Sequence, residues 1–510
     1  MDIILDDSFF TTTIGAIFNL SDFRHAFLWA LIVGICLAFL LGFGMGANDV
    51  SNAFGTSVGS GALTLIQAYI LATIFETLGS VLVGYNVIDT MRKSVVDVAV
   101  YNDSAAEFML GQVATLGGCA TWLMIATFLH LPVSTTHAVV GATLGFSLTC
   151  KGFQGIQWMV VVKIIASWFI SPLFSGTLGM IFYVFVDHVI LRTSDPVKNG
   201  LFWLPIFYFV CLTFNCFVIS YQGSRVLHLS TVPLWIAIVL SLVVGIIAAA
   251  VCHFLIVPRI RRYVERSKTA RDNRVSSIVI SVSDQAEKDK ITIRTGSSSE
   301  SEETYGTITP PSPTRSPFMQ KMHHFKTWLL PDETRVEGED TLNMFCSVQT
   351  LTACFAGFAH GANDVCNAIA PLVALIAIYR DYDVYQKKET PIYVLLYGVL
   401  AICVGLWCLG HKVIRTVGTK MSDVNPASGF CIEFSAAVTA LLASKFGLPI
   451  STTHCLVGAV VSVGKVKGKR IDWKLFRSVA LSWVVTLPVA GGFAALYMWL
   501  LKYTIPQKYR

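Results

Sequence analysis

Charged residues are scarce in this chain of 510 residues. Asp, Glu, Lys and Arg together make up 14% of it, whereas an ordinary soluble domain contains about 25%. Hydrophobic residues make up 54%, and apolar runs of about twenty residues, each long enough to cross a bilayer, recur along most of the length. The composition argues against a soluble protein and predicts an all-α polytopic membrane protein.

About twelve segments are candidate membrane spans. The segments at 135–150 and 454–465 are short, so each is a candidate arm of a re-entrant hairpin, and a further apolar stretch at 365–379 is left unassigned. The first residues are acidic and contain no Lys or Arg before Arg24, which argues against a cleavable signal peptide. The candidate spans are 25–45, 62–88, 108–130, 135–150, 157–190, 201–220, 232–257, 343–360, 392–410, 428–446, 454–465 and 474–501.

The chain also lacks the patterns that indicate a metal or disulfide protein. Its thirteen Cys are an odd number spread through apolar sequence, and no CxxC pair occurs. We expect them to be packing residues, as free Cys usually is. The formal net charge of +6 is a signal of membrane topology and does not indicate nucleic-acid binding.

Two polar motifs occur twice inside this apolar sequence. GANDVSNA at 46–53 returns as GANDVCNA at 361–368, and LPVSTTHAVVGA at 131–142 returns as LPISTTHCLVGA at 448–459. A duplicated polar motif indicates one binding site assembled from two related halves. The match extends to other segments: 79–90 aligns with 405–416, and 156–168 aligns with 471–483.

The two copies predict two inverted-topology repeats. Each copy covers about five spans, and an odd number inverts the second copy relative to the first. A hydrophilic stretch with a basic start and a Ser- and Glu-rich centre is predicted to be a disordered cytoplasmic loop. Because seven candidate spans precede this loop and five follow it, both termini are expected outside. The predicted order is an extracellular segment 1–24, first repeat 25–190, linking spans 191–257, cytoplasmic loop 258–342, second repeat 343–501 and extracellular tail 502–510.

This orientation agrees with the positions of the glycosylation sequons. Asn19 and Asn102 begin N-x-S sequences, and both fall on the predicted outer side. The basic run at 465–470 falls inside, whereas its counterpart in the first half carries only Lys151 and falls outside. Asn19 and Asn102 are therefore candidate glycosylation sites.

The GAND copies offer hard oxygen ligands for a small cation. An Asp inside a membrane span costs at least ~2.5 kcal/mol on insertion scales, so it usually faces a partner or a cavity. Carboxylate and amide oxygens suit small hard cations, and Gly46 and Gly361 are expected to break the helix and expose backbone carbonyls. The alternative is that these residues only cap helix breaks. The candidate cation-binding residues are Asn48, Asp49, Asn52, Asn363, Asp364 and Asn367.

The STTH copies are predicted to begin helices just after Pro132 and Pro449. A helix N-terminus with free N–H groups and nearby hydroxyls is a natural site for a phosphate-like anion, and two such turns meeting at a pseudo-twofold axis would enclose it. Ordinary N-capping is the alternative, and His137 and His454 are candidate structural hydrogen-bond partners. The candidate anion-binding residues are Ser134, Thr135, Thr136, Ser451, Thr452 and Thr453.

Two further carboxylates lie inside predicted spans. Glu76 aligns with Ile402 of the second repeat, and Glu433 aligns with Gln112 of the first. Each is a candidate cation or proton site, with a structural buried carboxylate as the alternative. His360 aligns with Met45, so it breaks the symmetry and receives little weight.

Neither pair of motifs contains a Lys or Arg. N–H groups, hydroxyls and bound cations must therefore balance the charge of any bound anion. Such a site makes anion binding depend on cations, which is the requirement for symport.

At these residues the chain resembles the inorganic phosphate transporter family, also called PiT or solute carrier family 20. The family signature GANDVANA is close to both GAND copies, and the resemblance covers about 25–257 and 343–501, including IFETLGSVL and the paired STTH segments. It implies sodium- or proton-coupled uptake of inorganic phosphate. Animal members, which share the external termini and large cytosolic loop, are sodium-coupled.

The resemblance also implies roles for single residues. Asp49, Asp364, Glu76 and Glu433 match positions tied to transport, and the STT triplets match the anion cradle. Gln112 departs from the pattern, because related chains can carry Glu there. We therefore expect a sodium–phosphate symporter of the plasma membrane that works by alternating access, with Na⁺ co-transported, no cofactor and no enzymatic activity, and a homodimer as one assembly to consider.

Other functions are compatible with parts of the pattern. The motifs alone do not exclude the same scaffold coupled to H⁺ through Glu76 or Glu433, or carrying another oxyanion such as sulfate. A membrane aspartyl protease would use Asp49 and Asp364, but the chain lacks a GxGD sequence and the duplicated STTH would have no role. A phosphate sensor with the transporter fold remains open because of the large loop.

Overall fold

The computed structural model describes residues 7–221, 232–269, 328–331, 335–415, 420–445 and 450–509. This part of the chain is helical, with two isolated β-bridges in place of a sheet. The helices are α1 (Asp7–Asp49), α2 (Ser51–Gly59), α3 (Leu65–Ser94), α4 (Ala105–Phe128), α5 (Thr135–Lys151), α6 (Trp158–Val186), α7 (Pro196–Ser220), α8 (Leu234–Val251), α9 (Glu339–Asp381), α10 (Ile392–Leu409), α11 (His411–Arg415), α12 (Pro426–Lys445), α13 (Thr452–Val466) and α14 (Trp473–Lys502).

Ten helices of the described part are long and apolar enough to cross a membrane, and Thr452–Val466 is a shorter apolar helix. The polytopic helical class is confirmed, but the count of about twelve spans is not. The helix of α8 continues through a π turn to Thr269, and α9 begins at Glu339. The described ends of the predicted loop 258–342 are therefore structured, and most of that loop lies outside the described residues.

The short segments form hairpins with the helices before them. Val96, before α4, makes a bridge with Ile156, after α5. Ser422, before α12, makes the equivalent bridge with Ile471, after α13. Each hairpin therefore returns to the side from which it started, as predicted for 135–150 and 454–465.

The two repeats exchange helices, in the sense that helices of each repeat pack on helices of the other. α9 of the second repeat packs on α3 of the first, and α1 packs on α10, while α14 packs on α5 and α13 on α6. A Cβ at Gly361 would overlap the backbone of Glu76, and one at Gly46 would overlap that of Ile402. Since Gly46 and Gly361 are repeat partners, the crossings show that Glu76 and Ile402 occupy equivalent places.

The expectation of helix breaks at these glycines is wrong. The interruption in the first repeat is at Val50, after Asp49, and Val50 keeps helical angles of φ −60° and ψ −24°. The second GAND copy lies inside the uninterrupted helix α9. Gly46 and Gly361 allow the neighbouring helix to approach closely, because a side chain there would collide with it.

Polar contacts mark the two ends of the molecule. At one, which we call the terminal end, Lys508 lies 2.6 Å from Asp22, and Lys151 lies 3.1 Å from Glu107. At the other, the loop end, the buried Asp187 pairs with Arg192 and Arg335. The GAND and STT residues lie between these ends.

Candidate functional site

The candidate site lies where the junction of α1 and α2, the middle of α9, and the first turns of α5 and α13 meet. The junction of α1 and α2 carries the first GAND copy, and the middle of α9 carries the second. The first turns of α5 and α13, at the tips of the two hairpins, carry the STT triplets. Asp49, Asp364, Asn52 and Asn367 are all buried. The structure thus brings together residues that are more than 300 positions apart in the sequence.

An acidic cluster forms the first part of the site. One ligand atom each from Asp49, His360 and Asp364 lie within 4.8 Å of one another. His360 Nε2 lies 2.6 Å from Asp364 Oδ2, and its Nδ1 lies 3.2 Å from Glu76 Oε1. Both carboxylate oxygens of Asp49 are buried without a hydrogen-bond partner among the described residues. Three carboxylates therefore surround one imidazole, and uncompensated buried charge of this kind is strongly unfavourable.

The two STT turns form the second part. Ser134 caps α5 by accepting the backbone N–H of His137 at 3.4 Å, and Ser451 caps α13 in the same way. The threonines therefore occupy the first helical turns, as predicted. The Thr136 hydroxyl lies 3.5 Å from the Ile450 carbonyl oxygen, and the Thr453 hydroxyl lies 3.3 Å from that of Val133. The turns of the two repeats are in direct contact.

Two asparagines join the GAND copies crosswise to these turns. Asn52 Nδ2 of the first repeat donates to Thr453 Oγ1 of the second at 2.8 Å. Asn367 Nδ2 of the second repeat donates to Thr136 Oγ1 of the first at 3.1 Å. The pairs are related by the internal symmetry, so each repeat completes the other's half of the site.

Asp364 connects the acidic cluster to both turns. Its Oδ1 accepts from the Thr135 hydroxyl at 3.5 Å, and its Oδ2 accepts from the Thr452 hydroxyl at 3.2 Å. Asn367 Nδ2 lies 3.3 Å from the same Oδ1. One carboxylate therefore receives donors that an anion between the turns would otherwise accept.

The first asparagine of each GAND copy has different hydrogen-bond partners from the second. Asn48 binds the tip of the first hairpin: it donates to Thr127 Oγ1 and to the Leu131 carbonyl, and it accepts from the Val133 N–H at 3.1 Å. Asn363 Nδ2 donates to the Ala359 carbonyl of its own helix at 2.9 Å. Neither side chain reaches the acidic cluster by a contact among the described residues.

Glu433 lies in a separate polar cage. Its Oε1 accepts from Thr56 Oγ1 at 2.7 Å, Ser57 Oγ at 2.6 Å and Gln349 Nε2 at 3.0 Å, and its Oε2 accepts from Thr352 Oγ1 at 2.9 Å. The carboxylate is fully buried. Four neutral donors and no described cationic side chain surround it.

The corresponding place in the first repeat is apolar. In the register that pairs Asp49 with Asp364, the four donors are replaced by Pro371, Leu372, Gly34 and Leu37. Gln112 stands where Glu433 would be, and with Pro371 it lines a small cavity of about 20 Å³. The asymmetry seen at Gln112 in the sequence thus extends to the whole cage.

Two histidines meet next to the STT turns. The rings of His137 and His454 are 4.7 Å apart, and each also packs against a tryptophan, Trp168 or Trp483. Their ring nitrogens are buried without a hydrogen-bond partner among the described residues. A structural role as packed rings fits this contact set, because no ring nitrogen reaches the acidic cluster.

His360 is the residue that the sequence analysis underrated. Its repeat partner is Met45, so the internal symmetry gave no reason to expect it in the site. The signal was its spacing: a residue four positions before Asp364 on a helix lies on the same face.

Known proteins are similar to this chain over most of its length. A family profile described as the phosphate transporter family matches residues 45–494. The chain is 33% identical to sodium-dependent phosphate transporter 1 of Rattus norvegicus, covering 97% of this chain and 98% of the relative. It is 34% identical to sodium-dependent phosphate transporter 2 of Felis catus, covering 94% and 99%. A solved structure titled "The sodium-dependent phosphate transporter" superposes with a TM-score of 0.73 at 28% identity, covering 93% of this chain and 100% of that one.

Proposed function

Because the chain belongs to the phosphate transporter family, we propose that it is a sodium-coupled symporter that imports inorganic phosphate by alternating access. Na⁺ binds at the acidic cluster, and phosphate binds between the STT turns. The observation that carries this proposal is the position of Asp364, which contacts His360 on one side and the threonines of both turns on the other.

The coupling follows from the hydrogen bonds of Asp364. Its carboxylate accepts from the hydroxyls of Thr135 and Thr452. A Na⁺ held by Asp49 and Asp364 would neutralise this charge and release the hydroxyls toward the centre of the turns. A phosphate anion would then accept those donors together with the first-turn N–H groups of α5 and α13. Each ion removes an electrostatic penalty that the other would meet alone.

Glu433 is proposed as a second cation position. Its cage supplies a buried carboxylate and three hydroxyl oxygens, which suit a hard cation. Glu76 is proposed to act through His360, which lies between it and Asp364. The two carboxylates named as coupling residues therefore act at different places.

We also propose an orientation of the protein in the membrane and a cellular location. The loop end carries the basic runs at 259–268 and 465–470, so we place it in the cytoplasm by the positive-inside rule. The terminal end, with both termini and Asn102, is then extracellular, and the membrane is the plasma membrane. We propose no enzymatic activity, and N-glycosylation and a homodimer stay predictions.

Neutral substitution of the two central aspartates tests the site. Asp49→Asn and Asp364→Asn remove the charge that holds Na⁺ while keeping the side-chain shape, so phosphate uptake is expected to be lost at normal surface expression. Asp381→Asn is the matched control, because this residue ends the same helix as Asp364 and pairs with Arg380 and Lys388 at the surface. Wild-type uptake by Asp49→Asn or Asp364→Asn would remove that aspartate from the mechanism.

His360 supports a second candidate, in which a proton replaces one of the cations. Its ring lies between Glu76 and Asp364 and would bring a positive charge to them when protonated. An inward pH gradient without Na⁺ should then drive phosphate uptake that His360→Gln abolishes. Absence of such uptake in the wild type would reject proton coupling and leave Na⁺ as the driving ion.

A further inference from the structure

A basic groove lies at the loop end, outside the transport site. It has a volume of about 320 Å³ and runs between the start of α7 and residues 257–269, which extend the helix of α8 after its π turn and are called the α8 extension. Three cationic side chains line it, and two acidic ones, Asp195 and Glu265, stand beside them. The three cationic residues are Lys198, Arg261 and Lys268.

The groove is built by one face of the α8 extension. Arg261, Val264, Glu265 and Lys268 follow the spacing of neighbours on a helix. Val264 is buried and packs toward Leu201 of α7, which is also buried. The cationic ends of Arg261 and Lys268 are exposed and form no ion pair within the described ranges.

The other arginines of the extension lie on a different face. Arg259 Nη1 donates to the Leu255 carbonyl at 3.2 Å, and Arg262 Nε donates to the Pro258 carbonyl at 3.3 Å. Arg266 is exposed and does not line the groove. Half of this basic cluster is therefore directed back to its own helix or to solvent, while the three cations of the groove outnumber its two carboxylates and form no ion pair with them within the described ranges.

Exposed aromatic side chains lie on the same helix faces as two of the groove's cations: one is four residues after Lys198 on α7, and one is seven residues before Arg261 on the helix of α8. Phe202 is 70% exposed on α7, and Phe254 is 72% exposed on the helix of α8. In a chain that crosses a bilayer, such side chains face acyl chains. An occupant with a multiply charged anionic head and an apolar tail matches both parts of this surface, whereas a soluble anion would use only the groove.

We propose that this groove binds the headgroup of a multiply charged anionic phospholipid of the cytoplasmic leaflet, with its acyl chains along Phe202 and Phe254. Basic clusters at the cytoplasmic end of a span attract anionic lipids in general. The convergence of three cations in one groove makes this a specific site in place of diffuse surface attraction. The site lies apart from the acidic cluster, so its occupancy does not depend on the proposed transport mechanism, and only its assignment to the cytoplasmic leaflet rests on the proposed orientation.

Two charge-matched variants of the full-length protein test the proposal. One carries Lys198→Gln, Arg261→Gln and Lys268→Gln, and the control carries Arg259→Gln, Arg262→Gln and Arg266→Gln. Binding of dioctanoyl phosphatidylinositol 4,5-bisphosphate to the purified protein is measured by native mass spectrometry, with dioctanoyl phosphatidylcholine as the neutral comparator. Both variants lose three charges, so only a groove site distinguishes them.

The groove variant is expected to lose roughly tenfold or more in affinity for the anionic lipid, while the control loses much less. An equal loss in both variants would mean diffuse attraction and would overturn the site. Binding of inositol 1,4,5-trisphosphate as tight as that of the lipid would also contradict it, because the acyl chains would then contribute nothing.

Two further measurements do not use the groove variant, so they do not depend on whether that variant folds. A photoactivatable phosphatidylinositol bisphosphate should label the wild-type protein within 195–202 or 254–268, and labelling elsewhere alone would overturn the proposal. Deleting 297–304 removes the acidic Ser/Glu stretch of the same chain. If lipid binds only after this deletion, the groove's occupant is that stretch and the lipid assignment is wrong.

Discussion

At the scale of single residues, hydrogen bonds that cross between the repeats hold the candidate site together. Asn367 donates to Thr136 and lies beside Asp364, so it fixes the position of both. Asn52 does the same for Thr453 alone. The asparagine that also touches the carboxylate is the more informative one to change.

Asn367→Ala should weaken phosphate binding. Leaving a buried donor or acceptor without a partner costs about 1–3 kcal/mol, which corresponds to a rise of roughly 5- to 150-fold in the KM for phosphate. Phosphate titration of uptake at saturating Na⁺ measures it, with Asn343→Ala, an exposed position on the same helix, as the control. A KM equal to that of the control would show that this crosslink does not shape the anion site.

Glu433→Gln should change the sodium dependence of uptake more than its phosphate dependence. The amide would place a donor among the hydroxyl and amide donors of Thr56, Ser57, Gln349 and Thr352, and it would remove the charge that attracts a cation. We expect the Na⁺ concentration for half-maximal uptake to rise by roughly tenfold, within the usual range of coupling energies. Glu107→Gln, at the terminal end, is the control, and an unchanged Na⁺ titration would exclude Glu433 from cation binding.

The sequence predicted most of the central residues but not all of their partners. Asp49 and Asp364 were foreseeable because membrane carboxylates need a partner, and the STT turns because capping residues follow Pro132. The place of His360 could not be read from the repeat, because Met45 replaces it there. Asn48 binds the hairpin tip, a long-range contact that no local pattern specifies.

At the scale of helices, glycine sets how closely the two repeats approach. Gly361 meets the Glu76 backbone, Gly46 meets Ile402, and Gly458 meets Pro172. The sequence shows the duplicated glycines, but local pattern cannot tell a helix break from a close crossing. The expected breaks were wrong for this reason, since the partner helix comes from the other repeat.

Gly361→Ala should destabilise the protein. Its methyl group would overlap the Glu76 backbone, and forcing extra volume into a packed contact typically costs about 1–3 kcal/mol. Thermal unfolding of the purified protein should therefore begin at a lower temperature. Gly492→Ala is the matched control, because nothing lies within 4 Å of a Cβ there; equal unfolding temperatures of the two variants would contradict the close crossing.

At the scale of the whole molecule, the exchange of helices makes the site a property of both repeats. The inverted topology of the two repeats stays a prediction from the duplicated motifs and the odd number of spans. The packing of α9 on α3 and of α14 on α5 was not predictable, because no local sequence pattern specifies which helices of the two repeats meet. The orientation in the membrane is the remaining large-scale prediction.

Glycosylation tests that orientation. Asn102 is exposed in the turn before α4, at the terminal end, so it should carry a glycan if that end is extracellular. Asn102→Gln should abolish the mobility shift that glycosidase treatment produces in the wild type, and Asn19→Gln should report on the other sequon. A glycan introduced successfully in the loop 258–342, with none at Asn102, would reverse the orientation.

Sodium coupling is tested by measuring radiolabelled phosphate uptake and current simultaneously, with external Na⁺ replaced by choline. If more Na⁺ charge than phosphate charge moves inward, transport carries current, and each net charge gains about 2.3 kcal/mol per 100 mV. We expect choline to abolish both uptake and current at neutral pH. Unchanged phosphate uptake in choline would contradict sodium coupling.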